Sequence, residues 1–450
     1  MKIVIIGAGE IGYDLASTLS KEKHDVTVLD REKAPLSRVA ESLDALIVEG
    51  NATSVKDLDK AGVSNADILI SVTSIDEVNM IAGMIGKRLG AKMVIARVRS
   101  DEFTDKNSPL SPSDLGIDVM IHPELSAAQE IFQLLRRSSA SDVVNLAEDK
   151  MQLVGIRLEK NSPLNGKALM EYAAMYSDIM FRVVAIVRRG RTLIPNGSVK
   201  MQSFDQVFVL AKTEDIPQII ATTGKKEANL NRVMIAGGTA LGAMITKLLS
   251  ADKTKDWSIK LIEPDFDTAE ELAVTYRSAM ILHGNPTDPD LLVTEGITDM
   301  DAFIAVTDDE ESNIISCLMA KHLEVKKTLA LVSKPDFIPL AQTIGLDAVI
   351  NKKAAASNEI HRYVRRGKVI SVTELRGINA EVIELHATVN SKITKKPIQN
   401  LTIPDGCVIG GVLSNGSVEI ATGKTQVKSN DRVIIFCLPD AIDKITKLFQ

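Results

Sequence analysis

The chain is written twice. MKIVIIGAGEIG (Met1 to Gly12) is echoed by NRVMIAGGTALG (Asn231 to Gly242), and the echo keeps its register for most of the sequence that follows each start. Asp67 to Asn79 (DILISVTSIDEVN) matches Asp301 to Asn313 (DAFIAVTDDEESN), and GNAT at Gly50 to Thr53 matches GNPT at Gly284 to Thr287. A tail returns as well: SFDQVFVL (Ser203 to Leu210) corresponds to SNDRVIIF (Ser429 to Phe436), and SPLNGKAL (Ser162 to Leu169) to SKITKKPI (Ser391 to Ile398). The order is therefore N1, C1, N2, C2, and 450 residues give each block enough chain to bury a core.

Within N1, apolar runs alternate with amphipathic stretches: KIVII, IGYDLASTLSKE, DVTVLD, LDALIVEG, ADILISVT, VNMIAGMIGKRLG, KMVIARV, DVMIH. Strands that are apolar throughout belong to a parallel sheet covered on both faces by helices. Each N block is thus expected to be a Rossmann-like, doubly wound α/β domain. Each C block has short strand-like runs with turn signals, the pattern of a small β-rich α+β module. The expected boundaries are 1–123 (N1), 124–137 (crossover helix), 138–222 (C1), 223–230 (polar linker), 231–352 (N2), 353–366 (second crossover helix) and 367–450 (C2).

Composition narrows the functional classes. A net charge of -6, a pI near 5.7 and 4% aromatic residues disfavour nucleic acid and a direct hold on an anionic leaflet. The apolar start has no signal-peptide cleavage pattern, and the longest uncharged stretch, Val233 to Thr246, is too short to span a bilayer. Cys317, Cys407 and Cys437 are odd in number and far apart in the chain, so no disulfide framework is expected and a reducing cytoplasm fits. The six histidines show no metal-ligand spacing, and no nucleophile motif is present.

The glycine turn carries the chemistry. In GAGEIG, Gly7 permits the tight turn, Gly9 lets a phosphate approach the backbone, and Gly12 allows close helix-to-strand packing. Amides at that helix start attract a pyrophosphate. Asp30 closes the next strand, where a carboxylate accepts both ribose hydroxyls and repels the 2′-phosphate of NADP; the rival reading is a solvated strand-end acid. Asn51 and Thr53 follow the third strand as adenine contacts or as turn formers. Thr73 closes the fourth strand, and Arg97 and Arg99 close the fifth, within reach of phosphates. His122 is read as structural in preference to a ligand contact.

The second copy departs from the first. Gly237 and Gly242 are in place, but Thr239 stands where Gly9 stands, Glu263 replaces Asp30, and Leu331 and Ser333 replace Arg97 and Arg99. The second site is expected to be weaker, altered or empty. Its acidic run, Asp308, Asp309, Glu310 and Glu311, is read as a helix start, with cation binding as the rival.

GAGEIG with LDR, EGNAT, ISVTSIDEVNM and ARVRS, repeated with a β-rich tail after each copy, resembles the TrkA family of Trk potassium uptake systems, built from tandem RCK (regulator of K+ conductance) modules. The resemblance spans essentially the whole chain. It implies a non-catalytic, cytoplasmic regulatory subunit that binds NAD(H) or ATP/ADP and forms a homo-oligomeric ring. The ring would dock, at the inner face of the membrane, beneath a Trk-type potassium channel or transporter subunit, and nucleotide occupancy would gate ion flow. It implies first-site ligands at Gly7, Ala8, Gly9, Glu10, Ile11, Asp30, Arg31, Asn51, Ala52, Thr53, Thr73 and Arg97. Their second-site counterparts are Gly237, Glu263, Asn285 and Thr307. The rival classes are an NAD-dependent oxidoreductase, since one fold serves many functions, and a nucleotide sensor with a different partner.

Overall fold

The computed structural model describes residues 1–100, 103, 111–226, 228–334, 337–364, 369–374 and 380–449. Residue 227 of the expected linker, 365–366 of the second crossover helix, and 367–368, 375–379 and 450 of C2 lie outside the described residues. The chain divides into two compact units, Met1–Ser126 with Lys352–Val364, and Ala127–Asn351 with Arg365–Gln450.

The first unit is built on β1 (Lys2–Ile6), β2 (Asp25–Asp30), β3 (Leu46–Glu49), β4 (Ile68–Ser71), β5 (Met93–Arg97) and β6 (Val119–Ile121). They form one sheet in the order β3-β2-β1-β4-β5-β6, parallel throughout. Because side chains alternate along a strand, Ile3 and Ile5 enter one core and Val4 and Ile6 the other, which is why KIVII has no polar residue after Lys2. The connecting helices are α1 (Glu10–Lys21), α2 (Lys33–Ser42), α3 (Val55–Lys60) and α4 (Asp76–Leu89). Helix α4 places Asp76 and Glu77 in its first turn and Lys87 and Arg88 in its last, matching the helix dipole at both ends. Helix α5 (Pro123–Arg136) leaves the sheet after β6, its first turn with this unit and the rest with the second.

The helix that follows the second copy, here α13 (Lys352–Val364), belongs to the first unit. Its Ala356, Ile360 and Val364 join Ile11, Leu15 and Leu19 of α1 in one core. The sequence expectation assigned this helix the role of joining N2 to C2; it also completes the hydrophobic cover of N1. Its spacing of apolar residues identifies a buried face but not whose core that face enters.

The second unit repeats the scheme. In C1, β7 (Asp142–Leu146), β8 (Met151–Arg157), β9 (Phe181–Arg188), β10 (Arg191–Leu193) and β11 (Gln206–Lys212) form an antiparallel sheet ordered β10-β9-β11-β8-β7, with α6 (Leu169–Met175) and α7 (Ile216–Thr222). N2 has β12 (Arg232–Ala236), β13 (Ser258–Glu263), β14 (Ala279–His283), β15 (Ala302–Ala305), β16 (Lys327–Leu331) and β17 (Ala348–Ile350), ordered β14-β13-β12-β15-β16-β17. Its helices are α8 (Ala240–Ala251), α9 (Phe266–Thr275), α10 (Pro289–Thr294), α11 (Glu310–His322) and α12 (Phe337–Ile344). C2 has β18 (Val369–Glu374), β19 (Glu381–His386), β20 (Cys407–Ser414), β21 (Ser417–Ile420), β22 (Arg432–Cys437) and α14 (Ile442–Thr446), in the order β18-β19-β22-β20-β21. Strand for strand this is the C1 topology, so the duplication extends to the tails.

C1 and C2 share one core, in which Leu153, Val184, Phe208 and Leu210 meet Val382, Leu413, Ile434 and Phe436. The polar stretch after α7 is tied down in two places: Ser139 Oγ donates to the Lys226 carbonyl at 3.1 Å, and Ala228 N–H donates to Ser138 Oγ at 2.7 Å. Its polarity serves hydrogen bonding. Beside it, the fully buried Lys327 ammonium donates to the carbonyls of Ser138 (2.9 Å) and Ala140 (2.6 Å), fastening the end of the α5 segment to the start of β16. Burial holds Lys327 down at about 8.

The three cysteines are free, and the fold brings two of them together. Cys407 and Cys437 are remote in sequence, but β20 and β22 pair antiparallel with Cys407 directly opposite Cys437. Sequence separation carries no information about strand partners.

Candidate functional site

The parallel register brings the carboxyl ends of β2, β1, β4 and β5 to one edge, with the strand order reversing between β1 and β4. In such sheets a ligand crevice opens at that point. Gly7 has φ +102°, and a Cβ there would meet the Thr73 amide nitrogen at 3.1 Å. A Cβ on Gly12 would lie 1.8 Å from the Gly7 carbonyl oxygen, so the first turn of α1 sits against the end of β1 only because Gly12 has none. Gly9 is different: a Cβ there would have no atom within 4 Å. It is the N-cap of α1 and brings no side chain to cap the helix. The two outer glycines are demanded by the fold, and Gly9 by nothing within it.

Asp30 turns its carboxylate back toward this start. Oδ2 accepts from Ala8 N–H at 2.6 Å and Oδ1 from Glu32 N–H at 3.0 Å. A carboxylate has about four acceptor positions, so each oxygen keeps capacity for one ribose hydroxyl. Ala8 is buried and Ile11 lies in the core, so these positions reach the crevice through backbone only; Glu10 is exposed. Arg31 is exposed and lies 3.6 Å from Glu32.

Asn51 is a turn former: its Oδ1 accepts from Thr53 N–H and Thr53 Oγ1, each at 2.9 Å. Ala52 packs in the core. Thr73 is held by a residue the sequence reading did not single out. The fully buried Asn79 accepts from Thr73 N–H (2.8 Å) and Oγ1 (2.7 Å), and donates to the carbonyls of Thr73 and Arg97, both at 3.0 Å. Asn79 thereby pins the ends of β4 and β5 on either side of the crevice. The signal was its recurrence as Asn313 in the matched stretch.

The two arginines are already engaged. Arg97 Nη2 donates to Glu124 Oε1 at 3.1 Å, and both side chains are largely buried. Lys352 Nζ stands 3.8 Å from the same oxygen. Burial pushes Glu124 upward, but the hydrogen bonding and the Arg97 and Lys352 charges outweigh it, and the carboxyl is held at about 2. His122 Nδ1 stands 3.2 Å from Leu125 N–H, which it can accept to cap α5, and 3.6 Å from Glu124 Oε2, to which the other ring tautomer can donate. Arg99 donates to the Ser74 carbonyl at 2.6 Å and to Asp76 Oδ1 at 3.2 Å.

The second copy builds the same turn and closes it differently. Gly237 has φ +112°, a Cβ on Gly242 would lie 2.0 Å from the Gly237 oxygen, and Asn313 pins Thr307 and Leu331 as Asn79 pins Thr73 and Arg97. Glu263 accepts from Gly238 N–H at 2.8 Å and Asp265 N–H at 2.9 Å, reproducing Asp30. Its extra methylene needs room: a Cβ on Gly238 would come within 2.7 Å of Glu263 Oε2, so Ala8 with Asp30 becomes Gly238 with Glu263. Thr239 caps α8, accepting from Gly242 N–H at 3.3 Å and donating to the Val306 carbonyl at 2.9 Å. Asn285 repeats the Asn51 turn with Thr287. Of the acidic run, Glu310 accepts from Lys334 N–H, Glu311 pairs with Lys334 Nζ at 2.8 Å, and Asp309 accepts from Ser312 Oγ. Among the described residues no cluster of three His, Cys, Asp or Glu could hold a metal ion.

Known proteins match along the whole chain. The TrkA-N domain model matches residues 3–123 and 233–352, and the TrkA-C domain model residues 153–224 and 382–450. The Trk system potassium uptake protein TrkA homolog of Archaeoglobus fulgidus is 32% identical over 450 residues, covering 100% of both chains. The Trk system potassium uptake protein TrkA of Vibrio alginolyticus is 32% identical over 456 residues, covering 100% of this chain and 99% of its own. Among solved structures, the GsuK channel bound to NAD aligns with TM-score 0.62 and 15% identity, covering 100% of this chain and 78% of that one. The GsuK RCK domain aligns with TM-score 0.62 and 14% identity, covering 100% and 94%. At those identities the structural likeness speaks for the fold, and the sequence matches for descent. The chain belongs to the TrkA family, with two TrkA-N and two TrkA-C domains in tandem.

Proposed function

We propose that this chain is the nucleotide-binding regulatory subunit of a Trk-type potassium uptake system, and that its first N-type block is the principal nucleotide site. The observation that carries the site is the contrast between the two helix starts. At Gly9 no side chain caps α1 and Asp30 faces the turn, whereas Thr239 spends its hydroxyl capping α8. An anion gains most where a helix start is not already capped. The ligand class is NAD(H) or ATP/ADP, in keeping with relatives' structures described as bound to NAD and to ADP.

In this reading Gly9, Glu10 and Ile11 present the backbone N–H groups of the helix start to the phosphates, Gly7 and Ala8, whose N–H groups are held by the Leu29 carbonyl and by Asp30, shape the turn beneath them, and Asp30 and Arg31 flank the ribose. Asn51, Ala52 and Thr53 border the base, and Thr73 and Arg97 close the far side. Gly237, Glu263, Asn285 and Thr307 form a weaker second site. The functional modules are N1 (1–123), C1 (138–222), N2 (231–352) and C2 (367–450), joined by the crossover helices and the 223–230 stretch. Names of full-length relatives support the potassium-uptake assignment; the reading adds a membrane potassium transporter as partner and a homo-oligomeric ring as the working form. Among the described residues no helix is long and apolar enough to cross a membrane. That is consistent with a cytoplasmic protein held at the membrane by its partner. The role in this reading is regulatory rather than catalytic, in line with the names of the full-length relatives; Glu124, held ionised at neutral pH, serves to anchor Arg97.

A nucleotide shifts the ring only by binding one arrangement more tightly, and tenfold discrimination is worth about 1.4 kcal/mol per site. Isothermal titration of the full chain with NAD, NADH, ATP and ADP, repeated on Gly9→Thr and Glu263→Ala, tests the site. Gly9→Thr, which copies the Thr239 cap into open space, is expected to weaken binding about tenfold. Unchanged affinity in Gly9→Thr, or a larger loss in Glu263→Ala, overturns the assignment. Potassium flux through the reconstituted partner, insensitive to all four nucleotides, would overturn the regulatory reading.

A further inference from the structure

Three cysteines are present, and the fold treats them unequally. Cys317 lies fully buried on α11, donates to the Leu329 carbonyl at 3.3 Å, and burial pushes its thiol up to about 12. That is an inert core residue. Cys407 opens β20 and Cys437 closes β22, and the two are direct partners in the antiparallel register. The hydrogen bond that flanks them runs from Leu438 N–H to the Gly406 carbonyl at 2.9 Å. A bond between the residue after one partner and the residue before the other marks a non-hydrogen-bonded pair. In such pairs the Cα atoms stand about 4.5 Å apart and the side chains lean toward each other. A disulfide spans Cα separations of roughly 4.4 to 6.8 Å, so the backbone meets its requirement without moving.

The side chains agree with the backbone. Both cysteines belong to one core cluster beneath the C-terminal segment. The Cys437 thiol hydrogen-bonds Cys407 and holds it below the ordinary thiol range, against the opposing effect of burial. Cys407 is buried with 9% exposure and Cys437 with none, so Cys407 is the one nearer solvent. This division of labour is that of an attacking thiol and a resolving thiol.

We propose that Cys407 and Cys437 form a reversible dithiol–disulfide site in C2, oxidised by a low-molecular-weight disulfide. The Cys407 thiolate attacks one sulfur of the small disulfide, a mixed disulfide forms, and one small thiolate leaves. The Cys437 thiolate then attacks Cys407 Sγ, the second small thiolate leaves, and the two protons released by the cysteines go to those thiolates. Two protein thiols are oxidised and one small disulfide is reduced to two thiols. The product staples β20 to β22 at the end of the sheet where Cys407 Sγ faces the Ala441 carbonyl at 3.9 Å. The turn into α14 therefore senses the state of the pair.

The test is intact mass and thiol count of the folded full chain after treatment with glutathione disulfide, followed by peptide mapping without reductant. Wild type and Cys317→Ser should each lose two hydrogens, yield one peptide carrying both Cys407 and Cys437, and revert with dithiothreitol. Cys437→Ser should stop at a glutathione adduct on Cys407, and Cys407→Ser should be unmodified. Wild-type protein that keeps all three thiols, crosslinks only between chains, or carries a stable glutathione adduct without the intramolecular link overturns the proposal.

Discussion

The asparagines that pin the strand ends allow a quantitative test, because the chain contains the same device twice. Asn313 accepts from Thr307 N–H at 3.0 Å and Oγ1 at 2.7 Å, and donates to the carbonyls of Thr307 at 2.9 Å and Leu331 at 3.1 Å. It is 1% exposed. In Asn313→Ala the Thr307 hydroxyl can rotate to another partner, but the buried amide and the strand-end carbonyl cannot. Two such groups left unmet cost about 1–3 kcal/mol each, so the substitution should cost N2 about 2–6 kcal/mol. The single tryptophan, Trp257, is buried in N2 with its indole N–H on Asp252 at 3.1 Å, so its fluorescence reports this lobe alone. With a urea slope of about 1–3 kcal/mol/M, the Trp257 midpoint should fall by about 1–2 M. Asn79→Ala should leave the Trp257 transition in place and lower nucleotide affinity, since it frees Thr73 and Arg97. A Trp257 midpoint in Asn313→Ala unchanged within about 0.3 M would refute the reasoning, because the strand ends would then be held by something else.

Three further outcomes follow from the same geometry. Gly12→Ala should abolish folding of N1, as its Cβ would lie 1.8 Å from the Gly7 oxygen, whereas Gly9→Ala should change stability by under about 1 kcal/mol; circular dichroism melts of both variants check the contrast. Glu124, at about 2 when folded against 4.5 for a free side chain, contributes stability that is complete above 4.5 and is lost as pH falls through about 2. Acid titration of Glu124→Gln should lack that component, worth about 3 kcal/mol. Lys327 has the same sign of dependence in a higher window: its folded value of about 8 lies below the free value of 10.5, so the unfolded chain binds more protons between them and stability rises with pH across that window, as the cost of burying the charge is relieved. Lys327→Met should flatten the rise in urea midpoint between those pH values.

Much of this was legible in the sequence because the signals were local and repeated. Apolar strands without alternation announced a sheet covered on both faces, and Gly7, Gly12 and Asp30 occupy the positions their spacing required. What the sequence did not disclose depends on partners that only the fold brings together. Arg97 looked like a free cation at a strand end, but Glu124 neutralises it from the following helix. Apolar residues of α13 marked a buried face with no indication that it covers N1, and Cys407 and Cys437 became neighbours only through strand pairing. Asn79 was hidden by its ordinariness: an asparagine in a helix reads as polar surface until its four hydrogen bonds are seen.

The two copies also act as controls for one another. Positions identical in both are those where the fold leaves no freedom: Gly7 and Gly237 at positive φ, Gly12 and Gly242 against a carbonyl, Asn79 and Asn313 between two strand ends. Positions that differ are those with no such obligation. Gly9 faces open space and Thr239 fills the equivalent space with a cap; Ala8 with Asp30 is exchanged for Gly238 with Glu263 at nearly constant volume. A scaffold requirement would have been kept in both copies; under the proposed function it is an anion at the helix start that asks for Gly9, and the second copy, with its helix start capped by its own side chain, would keep the architecture of the site while offering phosphate less attraction.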